Sequence, residues 1–162
     1  METFSGDFAA FLETVDVQNR EFVLEINEFL VENNCKYEIK PAKRGVTISY
    51  VLNGNKRTLA TFVFRKSGIK LRIYAEHISG YQDFLNTLPN KTKQEIKKAS
   101  VCKRLINPNS CNPKCVMGYD FFMEDQHFQK CRYMAFMPTL SDENNPYIKA
   151  FLEKELAVIN SK

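Results

Sequence analysis

Two apolar stripes with helical spacing run through the N-terminal part of the chain. The first comprises Phe8, Phe11, Leu12 and Val15, and the second comprises Phe22, Val23, Ile26, Phe29 and Leu30. Residues three and four positions apart share one face of a helix, so the pattern predicts two helices that bury these stripes. Asp16, where the stripe shifts, is the predicted cap of the second helix. The polar triplet before Cys35 predicts the end of the second helix.

Alternation with a period of two follows and predicts three strands. They are VTISYVL (46–52), RTLATFVFR (57–65) and IKLRIYA (69–75). The Asn-Gly pair in the first connection favours a tight hairpin turn, and KSG supplies the second turn. In the third strand Ile69, Leu71 and Ile73 fall on one face, opposite Lys70 and Arg72. The pattern therefore predicts an antiparallel meander with one face packed on helices and one polar, cationic face.

Short elements complete the predicted fold. GYQDFLNTL (about 80–88) and NKTKQEIKKA (90–99) predict two short helices, the second capped by Asn90. A cysteine-bearing loop rich in Asn and Pro follows, and 117–138 predicts a second hairpin that turns near Glu124–Gln126.

The last predicted element is the C-terminal helix NPYIKAFLEKELAVI, with Asn145 as its cap and Pro146 at its first position. Helices, meander, helices, hairpin and helix in this order predict the α+β class. We expect one domain from 1 to 162. Its first part, 1–100, holds the helices and the meander, and its second part, 101–162, holds the cysteine loop, hairpin and last helix.

Composition places the chain among ordinary globular proteins. Of its 162 residues, 44% are hydrophobic and 26% are charged, which excludes a disordered chain. The N-terminus lacks the basic and apolar regions of a signal peptide. No apolar run approaches the roughly 20 residues that span a bilayer. We therefore expect a cytoplasmic protein with no membrane contact.

Charge is distributed unevenly along the chain. Residues 1–35 hold eight acidic residues and one basic residue, 36–72 hold ten basic and one acidic, and 91–104 hold six basic and one acidic. One interpretation is an anion-binding face for phosphates, nucleic acid or an acidic partner. Its candidate residues are Lys43, Arg44, Arg65, Lys70 and Arg72. The alternative is that the acidic helices pack against the basic hairpins of the same domain.

Four of the five cysteines cluster in the second part of the chain. They are Cys102, Cys111, Cys115 and Cys131. Thiolates are soft donors, and four of them suit a tetrahedral structural zinc ion that would fix the loop. Only Cys111 and Cys115 have the close spacing usual in zinc fingers. Inert buried thiols, an iron–sulfur cluster and a redox pair therefore stay open as alternatives.

The two histidines are weaker candidates. His127 lies four residues before Cys131, and on a strand this places them roughly 13 Å apart, too far to share one ion. We therefore choose Cys131 as the ligand. His77 follows Glu76 and is interpreted as half of a solvated pair. Cys35 lies apart from the cluster and is interpreted as an ordinary buried thiol.

Three segments carry a resemblance to a family. They are ISYVLNGNKRTLATFVFRKSGIKLRIYAEH, CKRLINPNSCNPKCVMGY and KCRYMAF. Together they resemble a family of small uncharacterised bacterial α+β proteins with four cysteines in the C-terminal half. The resemblance covers most of the chain, and it implies a fold but no activity and no catalytic residue.

These observations favour a non-enzymatic binding module. It would have a structural metal site at the four cysteines, with zinc preferred over iron–sulfur, and a cationic sheet face for an anionic ligand or nucleic acid. The alternative function is a thiol-based redox enzyme or sensor that uses Cys111, Cys115 or Cys131.

Overall fold

The structure is a computed structural model that describes residues 6–43, 45–102 and 118–160. It confirms the α+β class. Two 3₁₀ helices span Ile78–Gly80 and Gln82–Thr87. The other elements, in chain order, are α1 (Gly6–Thr14), α2 (Val17–Glu32), β1 (Cys35–Pro41), β2 (Val46–Leu52), β3 (Thr58–Arg65), β4 (Gly68–Ile73), α3 (Asn90–Lys98), β5 (Tyr119–Met123), β6 (Gln126–Lys130) and α4 (Asn145–Asn160).

The chain divides into two compact units. The first consists of Met1–Leu71 with Thr139–Asn145, and the second of Arg72–Pro138 with Pro146–Lys162. Each unit combines helix and strand. The expectation of a single domain from 1 to 162 stays a prediction.

The first unit is built on the meander, which has four strands instead of the expected three. The strand order is β1-β2-β3-β4, and β1 pairs with β2 from Cys35 opposite Leu52 to Pro41 opposite Val46. β1 was not predicted from the sequence, because lysines interrupt its apolar positions. Those lysines suit an edge strand, where charged side chains discourage pairing with other chains. Pro41, which cannot donate to a ladder, is tolerated there for the same reason.

The predicted N-terminal helices form and pack on this sheet. Asp16 occupies the cap position of α2 and accepts the Asn19 N–H through its backbone carbonyl, at 2.8 Å, with no bond from its side chain. The rings of Phe11 and Phe62 lie 6.0 Å apart, and both are buried. Tyr50 donates its buried hydroxyl to Asn27 of α2 at 2.7 Å. The apolar stripes therefore form the core that their spacing predicted.

The second unit contains the predicted second hairpin. Glu124 and Asp125 form its turn, and both have positive φ (52° and 62°), as a two-residue turn between twisted strands requires. The hairpin is shorter than the expected 117–138, because β6 ends at Lys130. Phe136, from the segment that follows, packs on Phe121 and Phe151 with ring centroids 5.1 and 5.2 Å away.

Three helix ends differ from the predictions. The expected helix at 80–88 is 3₁₀ in form and stops before Pro89, which holds Leu88 in an extended conformation (ψ 154°). Pro89, not Asn90, occupies the cap position of α3. Asn145 is the first residue of α4 instead of its cap. In the turn that precedes the helix, the Ser141 hydroxyl accepts the Asn144 N–H at 3.1 Å, and the Asn145 side chain accepts the Ser141 N–H at 3.0 Å.

Within the described ranges, no helix is both long enough and apolar enough to cross a membrane.

Candidate functional site

A short ladder at the end of β6 brings two of the four clustered cysteines to one place. Val101 pairs with Lys130 in antiparallel fashion. The Cys102 N–H donates to the Gln129 carbonyl at 2.9 Å, and the Cys131 N–H donates to the Ser100 carbonyl at 2.8 Å. Cys102 therefore lies opposite Gln129, and Cys131 lies two residues after Gln129 in the partner segment. In an antiparallel ladder this makes the two cysteines diagonal neighbours on one face.

Cys102 is buried, with 7% of its surface exposed, and its sulfur accepts a hydrogen bond. The donor is the backbone N–H of Gly118, 3.2 Å from Sγ. A Cβ at Gly118 would lie 2.1 Å from the Lys130 carbonyl oxygen and 2.9 Å from the Cys102 Cβ, so only glycine fits. Residues 102 and 118 are therefore neighbours in space, although 15 residues separate them in the chain.

Lys130 anchors this corner from the other side. It is buried, and its Nζ donates to the carbonyls of Lys97 and Ala99, at 2.7 and 2.9 Å. These carbonyls lie at the C-terminus of α3, where the helix dipole favours a cation. Its backbone pairs with Tyr119 of β5 on one side and with Val101 on the other. The end of α3, strand β5 and Val101 are thus all joined to one residue, the first through its side chain and the other two through its backbone.

Cys131 was expected to lie within the second strand of the hairpin. It lies immediately after β6, whose last residue is Lys130. Its side chain is half-buried, and its carbonyl accepts the N–H groups of Met134 and Ala135, at 3.0 and 2.9 Å. The backbone turns sharply here. Cys102 and Cys131 are thiols, and neither forms a disulfide.

Cys111 and Cys115 lie outside the described residues. Among the residues the structure does describe, no group of three or more His, Cys, Asp or Glu side chains could hold a metal ion. The four-cysteine site therefore stays a prediction, with two of its members located.

Cys35 begins β1 and is 3% exposed. Burial raises the pKa of its thiol to about 11. It is an ordinary buried thiol in character, as its distance from the cluster in the sequence suggested.

His127 is engaged away from the cysteines. Its Nε2 lies 2.6 Å from Asp120 Oδ1, and its ring stacks on the half-exposed Phe122 at a centroid distance of 4.9 Å. Asp120 also accepts a hydrogen bond from the Gln129 side chain at 3.1 Å. The choice of Cys131 over His127 as the candidate ligand stays a prediction.

Two of the predicted anion-binding residues lie at one end of the first unit's sheet. Lys43 is in the turn between β1 and β2, Arg65 ends β3, and both are exposed. Lys40 and Lys66, also exposed, lie at this same end. Arg44 lies outside the described residues. We call Lys40, Lys43, Arg65 and Lys66 the cationic end of the sheet.

The other two predicted cations are hydrogen-bonded to residues far away in the chain, whereas Arg65 donates to the adjacent Phe64 carbonyl at 3.0 Å. Lys70 donates its Nζ to the Thr139 hydroxyl at 2.9 Å in the first unit. In the second unit, Arg72 Nε donates to the Tyr133 carbonyl at 2.9 Å, and the guanidinium lies 5.7 Å from the centre of the Tyr133 ring. Both side chains are only partly exposed, so they are less accessible to a ligand than Lys43 and Arg65.

A buried polar cluster around Glu155 of α4 was not predicted from the sequence. This carboxylate is fully buried and accepts three hydrogen bonds: from His77 Nδ1 at 2.7 Å, from the His77 backbone N–H at 3.1 Å and from the Tyr81 hydroxyl at 2.6 Å. His77 therefore does not form the expected solvated pair with Glu76, which pairs with Arg132 instead.

One signal in the sequence pointed to this cluster. Glu155 lies within the apolar stripe of α4, four residues after Phe151 and seven after Ile148. A carboxylate on a buried helix face requires donors from elsewhere. Its partners lie more than 70 residues earlier, so the pattern could reveal the need for donors but not their identity.

Comparisons of the chain with protein families, with curated proteins and with solved structures found no match.

Proposed function

We propose that the protein is a binding module in which Cys102, Cys111, Cys115 and Cys131 hold a structural zinc ion. One observation carries the proposal: the ladder at the end of β6 brings Cys102 and Cys131 to diagonal positions on one face. Cys111 and Cys115 belong to the segment that leaves from Cys102 and returns at Gly118, the neighbour of its sulfur. The two described residues that flank this segment, Cys102 and Gly118, are therefore neighbours in space.

The diagonal arrangement favours a metal over a disulfide. Diagonal neighbours in a ladder lie about 7–8 Å apart at their Cα atoms. A disulfide usually requires less than about 7 Å. A zinc ion with Zn–S bonds of about 2.3 Å can bridge the longer span and recruit two further thiolates. It would also add binding free energy to the stability of the loop.

Metal analysis of untagged protein tests this proposal. We expect one zinc per chain, loss of that zinc in Cys131→Ser and a lower melting temperature after chelation. Cys35→Ala is the matched control, because Cys35 lies in the first unit and the cluster in the second, and it should keep the metal. Visible absorbance would indicate an iron–sulfur cluster instead.

A metal-free protein with retained fold would contradict the zinc site. The alternative, a redox enzyme or sensor, would then be tested by alkylation rate against pH. A reactive thiol should titrate well below the ordinary value of about 8.5. Slow, uniform alkylation would exclude a reactive thiol, and the remaining hypothesis would be a protein that only binds a partner.

We also propose that the module binds an anionic partner, with nucleic acid as the first candidate. Of the five cations named from the sequence, Lys43 and Arg65 best support this, because both are exposed at the cationic end of the sheet. Lys40 and Lys66 add charge there. Concentrated positive charge attracts phosphate groups and makes binding strongly dependent on salt.

Binding of a fluorescent single-stranded oligonucleotide across a salt series tests this second proposal. We expect the double variant Lys43→Glu with Arg65→Glu to weaken binding at least about tenfold at low salt and to flatten the salt dependence. Lys154→Glu, at an exposed position on α4, is the matched control. Equal loss in both variants, or no wild-type binding at low salt, would contradict a site at the cationic end.

A further inference from the structure

We infer that Asn53 is a site of spontaneous covalent modification, where loss of the side-chain amide leaves a carboxylate, and that this change weakens the contact between the β2–β3 turn and the end of α2. Asn53 and Gly54 form the one Asn-Gly pair of the chain, in the connection between β2 and β3. Glycine lacks a Cβ, so its backbone nitrogen is less hindered than that of other residues in approaching the preceding side chain. The pair takes part in neither the proposed metal site nor the cationic end of the sheet.

The modification requires only water. The Gly54 nitrogen attacks the side-chain carbonyl carbon of Asn53 and gives up its proton. The bond between that carbon and the amide nitrogen breaks, so that ammonia leaves and a cyclic imide remains. Water then adds to either carbonyl carbon of the ring and opens it, which yields aspartate or isoaspartate. In isoaspartate the main chain runs through the former side chain. This chemistry makes asparagine a thermolabile residue.

Both reacting groups are accessible. Asn53 and Gly54 are exposed, and a Cβ at Gly54 would meet nothing within 4 Å, so the structure leaves room for the imide ring. Over the described ranges, no residue is hydrogen-bonded to the Asn53 side chain or accepts the Gly54 N–H. Neither group therefore has to break a described hydrogen bond in order to react.

The turn does not depend on the conformational freedom of Gly54. The Asn-Gly pair predicted a tight hairpin turn, in which both residues have positive φ. In the structure Lys56 has positive φ (62°), and Asn53 and Gly54 do not. The turn is closed by the Leu52 N–H, which donates to the Arg57 carbonyl at 2.8 Å, and by the Lys56 N–H, which donates to the Leu52 carbonyl at 3.0 Å. The peptide group between Asn53 and Gly54 can therefore rotate toward the reactive geometry while the turn stays closed.

Modification of Asn53 acts on the end of α2. The Asn53 N–H donates to the Asn34 carbonyl at 2.9 Å, and Asn34 directly follows Asn33, the C-cap of α2. Aspartate places a negative charge near a helix C-terminus that already carries partial negative charge. Isoaspartate also adds a methylene to the main chain immediately after the residue that makes this contact. Both products therefore weaken the contact, isoaspartate through geometry as well as charge.

Asn55 is an internal reference in the same turn. It is exposed like Asn53, but it precedes Lys56 instead of a glycine, and its side-chain oxygen accepts the Arg57 N–H at 2.9 Å. A hindered nitrogen and a hydrogen-bonded amide both oppose ring formation. We therefore expect Asn55 to keep its amide.

Peptide mapping by mass spectrometry tests the assignment on the folded chain after incubation in mildly alkaline buffer. We expect progressive loss of the Asn53 amide, with aspartate and isoaspartate as products, while the Asn55 amide persists. Gly54→Ala is the matched variant, because its Cβ meets nothing within 4 Å and residue 54 has no positive φ. It should fold normally and lose the Asn53 amide much more slowly, since the Cβ hinders the attacking nitrogen. Equal rates in wild type and Gly54→Ala, or an intact Asn53 in the folded wild type, would overturn the assignment.

Urea denaturation tests the effect on α2. Fully modified protein should unfold at a lower urea concentration than fresh protein. Asn53→Asp carries the charge with an unaltered main chain, so its midpoint should fall between the two. Gly54→Ala incubated alongside should keep its midpoint, which separates this reaction from other ageing. An unchanged midpoint in the modified wild type would contradict the weakened contact.

Discussion

Glu155 in the second unit is a carboxylate with no solvent exposure. Its burial depends on the three hydrogen bonds that it accepts. Glu155→Gln keeps the shape but turns one acceptor oxygen into an NH₂ group that faces donors. We expect the free energy of unfolding to fall by about 1–3 kcal/mol. Urea denaturation measures it.

Glu153→Gln on the same helix is the matched control, since Glu153 is exposed. Its effect should stay within about 0.5 kcal/mol. Equal stability of the two variants would show that the hydrogen bonds to Glu155 contribute little.

Cys35 gives the first unit a specific response to alkaline pH. Its pKa is raised by burial from 9.0 to about 11, so the folded state favours the protonated thiol. The resulting stabilisation is complete below pH 9 and is lost as pH rises from 9 to 11. Over that window the unfolded chain releases its proton first, and stability should fall by about 1.4 kcal/mol per pH unit from this group.

The comparison of wild type with Cys35→Ala isolates this effect. The variant lacks the thiol and should lose less stability between pH 9 and 11, while the offset between the two proteins stays constant from pH 6 to 8. Urea denaturation at each pH provides the measurement. Parallel stability curves above pH 9 would contradict a raised thiol pKa.

Individual residues show where sequence reasoning stops. The alternation of Ile69, Leu71 and Ile73 was enough to predict their burial, because each depends only on strand geometry. The partner of His77 was not predictable, since Glu155 lies 78 positions away. Proximity along the chain suggested Glu76 instead. Polar pairing across a fold depends on how the elements pack, and a local pattern does not contain that information.

At the scale of elements, the strongest periodic patterns were predicted well and the mixed ones were not. Helices α1, α2 and α4 and strands β2 to β4 follow clear apolar spacing. β1 was missed although Cys35, Tyr37 and Ile39 alternate, because its lysines and Glu38 resemble a charged loop. The ladder beside Cys102 was not predicted for a related reason. A single bridge such as Val101 with Lys130 leaves no periodic pattern in the sequence.

Lys130 connects three elements, so its side chain can be tested at this scale. Lys130→Met keeps the apolar stem but removes the ammonium that satisfies two carbonyls at the end of α3. We expect a loss of about 1–3 kcal/mol in the free energy of unfolding, because those acceptors lose a buried partner.

Lys154→Met, at an exposed position on α4, is the control for this substitution and should change stability little. Hydrogen exchange at the amides of α3 adds a local readout. Faster exchange there in Lys130→Met alone is the expected result, and unchanged exchange would show that Lys130 does not hold the helix end.

At the scale of the whole molecule, the chain crosses between the two units three times. The first unit is completed by Thr139–Asn145, which follows most of the second unit in sequence. Within the first unit, Lys70 pairs with Thr139, and the Leu140 N–H donates to the Ile69 carbonyl at 3.1 Å. This segment covers the outer edge of β4. A division of the chain at 100, as the sequence suggested, therefore does not coincide with the compact units.

The covering segment leads to a prediction for fragments. Residues 1–71 alone expose the edge of β4 and lose Leu140, which is buried. Exposed strand edges promote association, so we expect this fragment to lack a cooperative unfolding transition and to aggregate.

Because β4 and residues 139–140 run antiparallel, a short Asn-Gly turn can join Leu71 to Thr139. The joined chain, ending at Asn145, should be monomeric and unfold cooperatively in urea, as followed by circular dichroism and sedimentation. A monomeric 1–71 fragment with equal cooperativity would show that the first unit does not need its returning segment.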